Sequence, residues 1–170
     1  MLDALKSFIA EVAGAEPPAR NFGEEDYRLA AVALLIHVAN ASGATDLAER
    51  RRLKTIIEER FGLNAKATFE LIAMAEQSDR EAVDLYRFTS VLKRALDDDG
   101  RRKIVEMMWD IAFADGATDE FEENAIWRIA ELLAVSTRDR VVLRQRVAGR
   151  TPRDAPTQGP WSASASKGKA

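Results

Sequence analysis

The sequence predicts an all-α fold of seven to eight helices, arranged as two helical hairpins related by a pseudo-twofold axis. Three observations lead there. Apolar residues recur every three or four positions along most of the chain, and no stretch alternates with the period of two that marks a strand. Two Gly-Ala-Thr-Asp segments, 43–46 and 116–119, each break one periodic stretch and open the next. With Gly43 placed on Gly116, residues 34–60 also match 107–133 without a gap, with identities at Ala39, Ala41, Gly43, Ala44, Thr45, Asp46, Glu49, Ile56 and Glu58. Each hairpin can hide only one face by itself, so the two are expected to pack against each other.

Taken in order, Leu2, Leu5, Phe8, Ile9 and Val12 mark an N-terminal amphipathic helix over 1–14, ended by Gly14 and Pro17-Pro18. With only Lys6 basic and Asp3 and Glu11 acidic, this helix is expected to dock on the domain rather than join a partner or lie on a membrane surface. Residues 15–23 form a linker, and the helical domain runs over 24–149. Its first helix, Glu24 to Ala41, presents Leu29, Val32, Ala33, Ile36 and Asn40 on one face and starts with three acids that suit the positive helix end. Gly43 breaks it. Asp46 with Glu49 three residues later is a capping box that opens a helix to about Arg60, with Leu53, Ile56, Ile57 and Phe61 inward.

Gly62 stops that helix, Asn64 caps the next through Met74, and Asp84 to Leu96 is a further one, closed by Asp97-Asp-Asp-Gly100. Arg101 to Ala114 repeats the apolar theme and ends at Gly116. Asp119 with Glu122 is the second capping box, opening a helix that carries Ile126, Ile129, Ala130 and Leu133. Ser136 with Asp139 starts the last helix. Residues 150–170 are rich in Pro, Ser, Ala, Gly and Lys and read as a disordered tail.

Composition narrows the function. The chain has 170 residues, 46% of them hydrophobic, enough for one domain with a real core. It has no Cys, which excludes disulfides, thiolate metal sites and a Cys nucleophile. The balance of 25 basic against 28 acidic residues argues against nucleic acid as a partner. The longest apolar run, Leu29 to Ala41, is interrupted by His37 and Asn40 and falls short of the roughly 20 residues that span a bilayer, so a cytoplasmic location is expected. Ser42-Gly43 lacks the Gly-x-Ser-x-Gly setting of a nucleophile elbow, and no phosphate-binding glycine loop occurs; no enzymatic role is expected.

One acidic run demands a reason. From Ile104 to Trp127 there are Glu106, Asp110, Asp115, Asp119, Glu120, Glu122 and Glu123, without a Lys or Arg, in a chain of net charge −3. Capping accounts for Asp46, Glu49, Asp119 and Glu122. It does not account for Asp115, at the negative end of its helix, or for Glu106 and Asp110, which repel each other four apart on one face. The run is not an EF-hand, because counting from Asp115 puts Gly second, Ala117 third and Ile126 twelfth. Any cation site must be assembled between helices.

A helix ending in Ala-Asp-Gly (114–116), followed by Asp-Glu-x-Glu and Ile-x-x-Ile-Ala-x-x-Leu, resembles the tellurite-resistance TerB-like family, which is related to the N-terminal domain of membrane-anchored J-domain co-chaperones. Leu-Leu-Ile-His-Val-Ala (34–39), Glu-Arg-Phe-Gly-Leu (59–63) and Asp-Leu-Tyr-Arg-Phe-Thr (84–89) are similar to bacterial TerB-like proteins that stand alone. The resemblance covers 24–148. It implies an all-helical, pseudo-symmetric domain with an acidic metal-binding cluster and an association with stress or tellurite resistance. Ser42-Gly43 departs from the Asp-Gly of the pattern, which weights any site toward the second copy. The His-Pro-Asp motif of J-domains is absent, which removes a direct co-chaperone role.

The repeat places His37 opposite Asp110 and Glu49 opposite Glu122. These four are therefore expected to meet at the axis as ligands of a divalent metal ion, with Asp46, Glu106, Asp115 and Asp119 as outer or alternative ligands. His37 also reads as a satisfied core histidine. With it, the donor set suits Mn²⁺, Fe²⁺ or Zn²⁺; without it, the oxygens favour Ca²⁺ or Mg²⁺. Tellurite, an anion, would be repelled. The competing reading is a helical protein-interaction module whose acidic face binds a basic partner, with Met107-Met108-Trp109 in the core.

Overall fold

The computed structural model describes residues 22–43 and 45–150, which form seven α-helices and no strand. The helix expected near the N-terminus and the tail expected after residue 150 lie outside the described residues. The helices are α1 (Tyr27–Ala39), α2 (Leu47–Phe61), α3 (Ala65–Glu81), α4 (Tyr86–Ala95), α5 (Asp98–Ala112), α6 (Glu120–Leu132) and α7 (Thr137–Arg150).

Local chemistry sets most of their ends. Asp26 accepts from Arg28 N at 2.9 Å and caps α1. Asn64 accepts from Ala67 N at 2.8 Å to cap α3, and Ser136 Oγ accepts from Asp139 N at 3.2 Å at the start of α7. Gly62 closes α2 at φ 60°, a left-handed conformation that costs glycine nothing. Several boundaries differ from the sequence reading: α1 starts at Tyr27 rather than Glu24, so Glu24 and Glu25 precede it and Asp26 is its cap, and the changes at α5 and α3 have equally local causes. Asp97 does not close the preceding helix but caps α5, accepting from Gly100 N at 2.8 Å, so Asp98 and Asp99 sit in the first turn, where the positive helix end favours them. Helix α3 runs past Met74 to Glu81, because Ala75 continues the buried line of Thr68 and Leu71.

The two halves share more than sequence. Gly43 has φ 98° and Gly116 φ 96°. Asn40 N donates to Ile36 O as Phe113 N does to Trp109 O, both at 2.9 Å, and Gly43 N donates to Asn40 O as Gly116 N does to Phe113 O, both at 3.0 Å. Packing follows the same rule. Helix α1 packs on α2 and α3 as α5 packs on α6 and α7, while across the halves α1 meets α5, α1 meets α6 and α2 meets α5. Those cross-contacts are reciprocal, as a twofold relation requires. The repeat thus extends to a third helix in each half, and α4 links the two units against α1 and α6.

Helix α1 lies at the centre. The sequence suggested one apolar face, yet Leu29 through Ile36 are all buried, at 0–4% exposure, and Asn40 is exposed. A helix surrounded by five others must be apolar nearly all round. Its partner α5 buries Met107, Met108, Trp109, Ile111 and Ala112, so the Met-Met-Trp cluster is core.

Candidate functional site

The capping boxes bring two carboxylates to the junction of the halves. In the first, Glu49 N donates to Asp46 Oδ1 at 2.7 Å and Asp46 N to Glu49 Oε2 at 3.0 Å. In the second, Glu122 N donates to Asp119 Oδ1 at 2.8 Å and Asp119 N to Glu122 Oε2 at 3.3 Å. Both glutamates are buried, Glu49 at 5% exposure and Glu122 at 4%, and their side chains hydrogen-bond to each other. Burial first, and then that hydrogen bond and the facing charge, push the Glu49 carboxyl up to about 8, against a smaller lowering from the Asp46 N–H. Glu49 therefore keeps a proton near neutral pH and donates it to Glu122, which also accepts from Thr118 Oγ1 at 3.2 Å. In the first copy the equivalent Thr45 instead donates to Asn40 Oδ1 and Ala39 O, so the pair is asymmetric in detail.

The other expected ligands are engaged elsewhere. His37 does not turn to Asp110: its Nδ1 lies 3.1 Å from Asp79 Oδ1 on α3, and its side chain is 40% exposed. Asp110, at 9% exposure, faces Arg52 Nη2 at 3.5 Å. Glu106 is held by Arg146 at 3.7 Å and by Arg150, which relieves its repulsion with Asp110. Asp115 is exposed and folds back to accept from Ala117 N at 3.1 Å, forming a turn just past the end of α5. Asp46 and Asp119 serve their helix N-termini. Among the described residues no group of three or more His, Cys, Asp or Glu side chains is placed to hold a metal ion.

The eight residues thus do not fit one coordination sphere. Glu49 and Glu122 do fit the chemistry of a hard cation: two oxygen donors from different helices, with no Lys or Arg paired to either among the described residues. Arg52, Asp79, Arg146 and Arg150 are the partners that sequence reasoning missed. None stands within a helical turn of the group it pairs, so no local pattern announces them.

The caps give a direct test of this geometry. Asp46→Ala and Asp119→Ala should each cost about 0.5–2 kcal/mol, read from urea unfolding midpoints at unchanged slope. Alanine keeps the backbone N–H from which each buried glutamate accepts, so only the aspartate's bond is lost, and equal costs in the two halves would support their structural equivalence.

Among the described residues no helix is long and apolar enough to cross a membrane. Comparisons with curated proteins and with solved structures give no match. The family model described as tellurite resistance protein TerB matches residues 28–145, a span that takes in α1 through most of α7, both capping boxes and the Glu49–Glu122 pair. The chain belongs to the TerB family, which is associated with tellurite resistance.

Proposed function

We propose that this TerB domain is a non-enzymatic stress-response module that takes up a divalent cation at Glu49 and Glu122 in exchange for the proton they share. One observation carries the reading: two carboxylates from symmetry-related helices are buried against each other without a basic side chain. Helix N-termini and the backbone N–H of Asp46 and Asp119 offset part of one negative charge. The second charge needs a proton or a cation. Because His37 belongs to Asp79, the donors are oxygen only, which favours Ca²⁺ or Mg²⁺; Mg²⁺ in particular is commonly held by one or two carboxylates with water at its other positions. Bound, such an ion supplies a fixed positive charge between α2 and α6, tightening the junction of the halves.

Calorimetric titration of the full chain with CaCl₂ and MgCl₂ tests this. Wild type should show saturable binding in the micromolar to millimolar range, with proton release seen as a dependence on buffer ionisation enthalpy, and a melting temperature that rises with free metal. Glu49→Gln with Glu122→Gln should abolish all three. Absence of saturable binding by wild type, or equal binding by the double variant, overturns the proposal.

The interaction reading is favoured at one place. Phe121 is 59% exposed next to Glu120, whereas its counterpart in the first copy is Ala48. If an acidic face docks a basic partner there, a Lys-rich peptide followed by fluorescence anisotropy should bind several-fold more weakly to Phe121→Ala and Glu120→Lys than to wild type.

A further inference from the structure

The internal repeat allows one half of the protein to be compared with the other as though they were two related proteins. In the second half, the space between α5, α6 and α7 is filled by an aromatic block. Trp109 meets Trp127 edge-to-face at 6.1 Å and Phe113 at 6.0 Å. Arg144 lies 5.6 Å above both Trp109 and Phe113 and pairs with Glu123 at 2.5 Å. Ring faces and a carboxylate thus satisfy the guanidinium together.

The same positions in the first half carry different chemistry. At the repeat offset, Trp109 becomes Ile36, Phe113 becomes Asn40, Trp127 becomes Lys54 and Glu123 becomes Arg50. Aligning the buried Leu71 and Ala75 of α3 with Leu143 and Val147 of α7 replaces Arg144 by Ile72. Every ring is gone and the carboxylate has become a cation. The result is a cleft of about 240 Å³ between α1, α2 and α3, lined by these side chains with Leu53 as part of its floor. Among the described residues Arg50 takes part in no ion pair, and Lys54 reaches Glu58 only at 3.9 Å. Asn40 accepts from Thr45 through Oδ1, which leaves its amide N–H₂ as a donor. Glu76 is the one carboxylate of the lining, against two cations.

We propose that this cleft binds a small aromatic carboxylate. The ring takes the place that Phe113 and Trp127 fill in the other half, against Ile36, Leu53 and Ile72, and the carboxylate pairs with Arg50 and Lys54. Charge complementarity fixes the polarity of the ligand. Where Glu123 holds a guanidinium, Arg50 is set to hold an acid, with a fork that matches a carboxylate. Volume fixes its size, since the cleft lies below the roughly 300–1,000 Å³ of pockets for drug-sized ligands, which leaves room for one or two rings.

The test is two-dimensional ¹H–¹⁵N NMR of the full chain with indole-3-acetate, using neutral indole-3-acetamide as a control of the same shape. Saturable shifts are expected at the amides of Asn40, Arg50 and Leu53 and their neighbours, with the amide ligand about tenfold weaker or more because it cannot make the charge-assisted pair. Arg50→Glu, an exposed change that restores the charge of Glu123, should lose binding to the same degree. Lys54→Trp restores the ring of the second half and should abolish binding while holding or raising the melting temperature. No saturable shifts, shifts scattered away from α1–α3, equal binding of acid and amide, or undiminished binding by Arg50→Glu would each overturn the proposal. Should Lys54→Trp fail to fold, Arg50→Glu decides alone.

Discussion

Trp109→Ala should destabilise the protein by about 3–5 kcal/mol, the range for deleting a large buried aromatic side chain. Trp109 is fully buried, touches Phe113 and Trp127, and lies beneath the Arg144 guanidinium. Removing the indole leaves a cavity among these neighbours, and the cost grows with the part of it that relaxation does not close. Urea unfolding of wild type and variant at unchanged slope measures it. Ile36→Ala at the corresponding position removes fewer atoms from a site that already borders a cleft, and its cost should be the smaller of the two. A loss below about 1 kcal/mol at Trp109, within the range of ordinary single substitutions, would mean that the aromatic block is not what holds α5, α6 and α7 together.

Much of this architecture can be read from the sequence because its determinants are local. Capping boxes, a glycine at positive φ and helical periodicity each involve residues within a turn of one another, so the pairs Asp46–Glu49 and Asp119–Glu122 and the breaks at Gly43 and Gly116 stand as expected. The repeat then carries one long-range inference, the meeting of Glu49 with Glu122, because twofold-related positions near the axis must face each other. It carries no more than that. His37 lies 42 residues from Asp79, on a helix outside the matched segments, and nothing local to either residue signals the pair. Arg150 and Glu106 are 44 residues apart in sequence and meet in space, and no local pattern joins them. Asp97-Asp-Asp-Gly100 is ambiguous by nature. Aspartates favour a helix start and glycine a helix stop, and the close of α4 at Leu96 decides between them.

Glu49→Gln should flatten the dependence of stability on pH and raise stability in mildly alkaline solution. The Glu49 carboxyl stands at about 8 in the folded protein against an ordinary value of 4.5, chiefly because burial disfavours its charge and secondarily because Glu122 takes its hydrogen bond. Between those two values the folded state binds more protons than the unfolded state, so wild-type stability falls as pH rises. The contribution is fully present below about pH 4.5 and is lost as pH rises through about 8. Glutamine keeps the parts that matter: its oxygen can accept from Asp46 N and its amide can donate to Glu122, but it cannot ionise. At pH 8 to 9 the variant should therefore exceed wild type by at least about 1 kcal/mol, since each tenfold difference in proton affinity between folded and unfolded chain is worth about 1.4 kcal/mol, and the two should converge toward pH 5. Unfolding free energies from urea titrations across pH 5 to 9 at constant ionic strength give the comparison. Parallel curves would show that Glu49 ionises in the folded state without cost, and the buried proton on which the cation exchange depends would not exist.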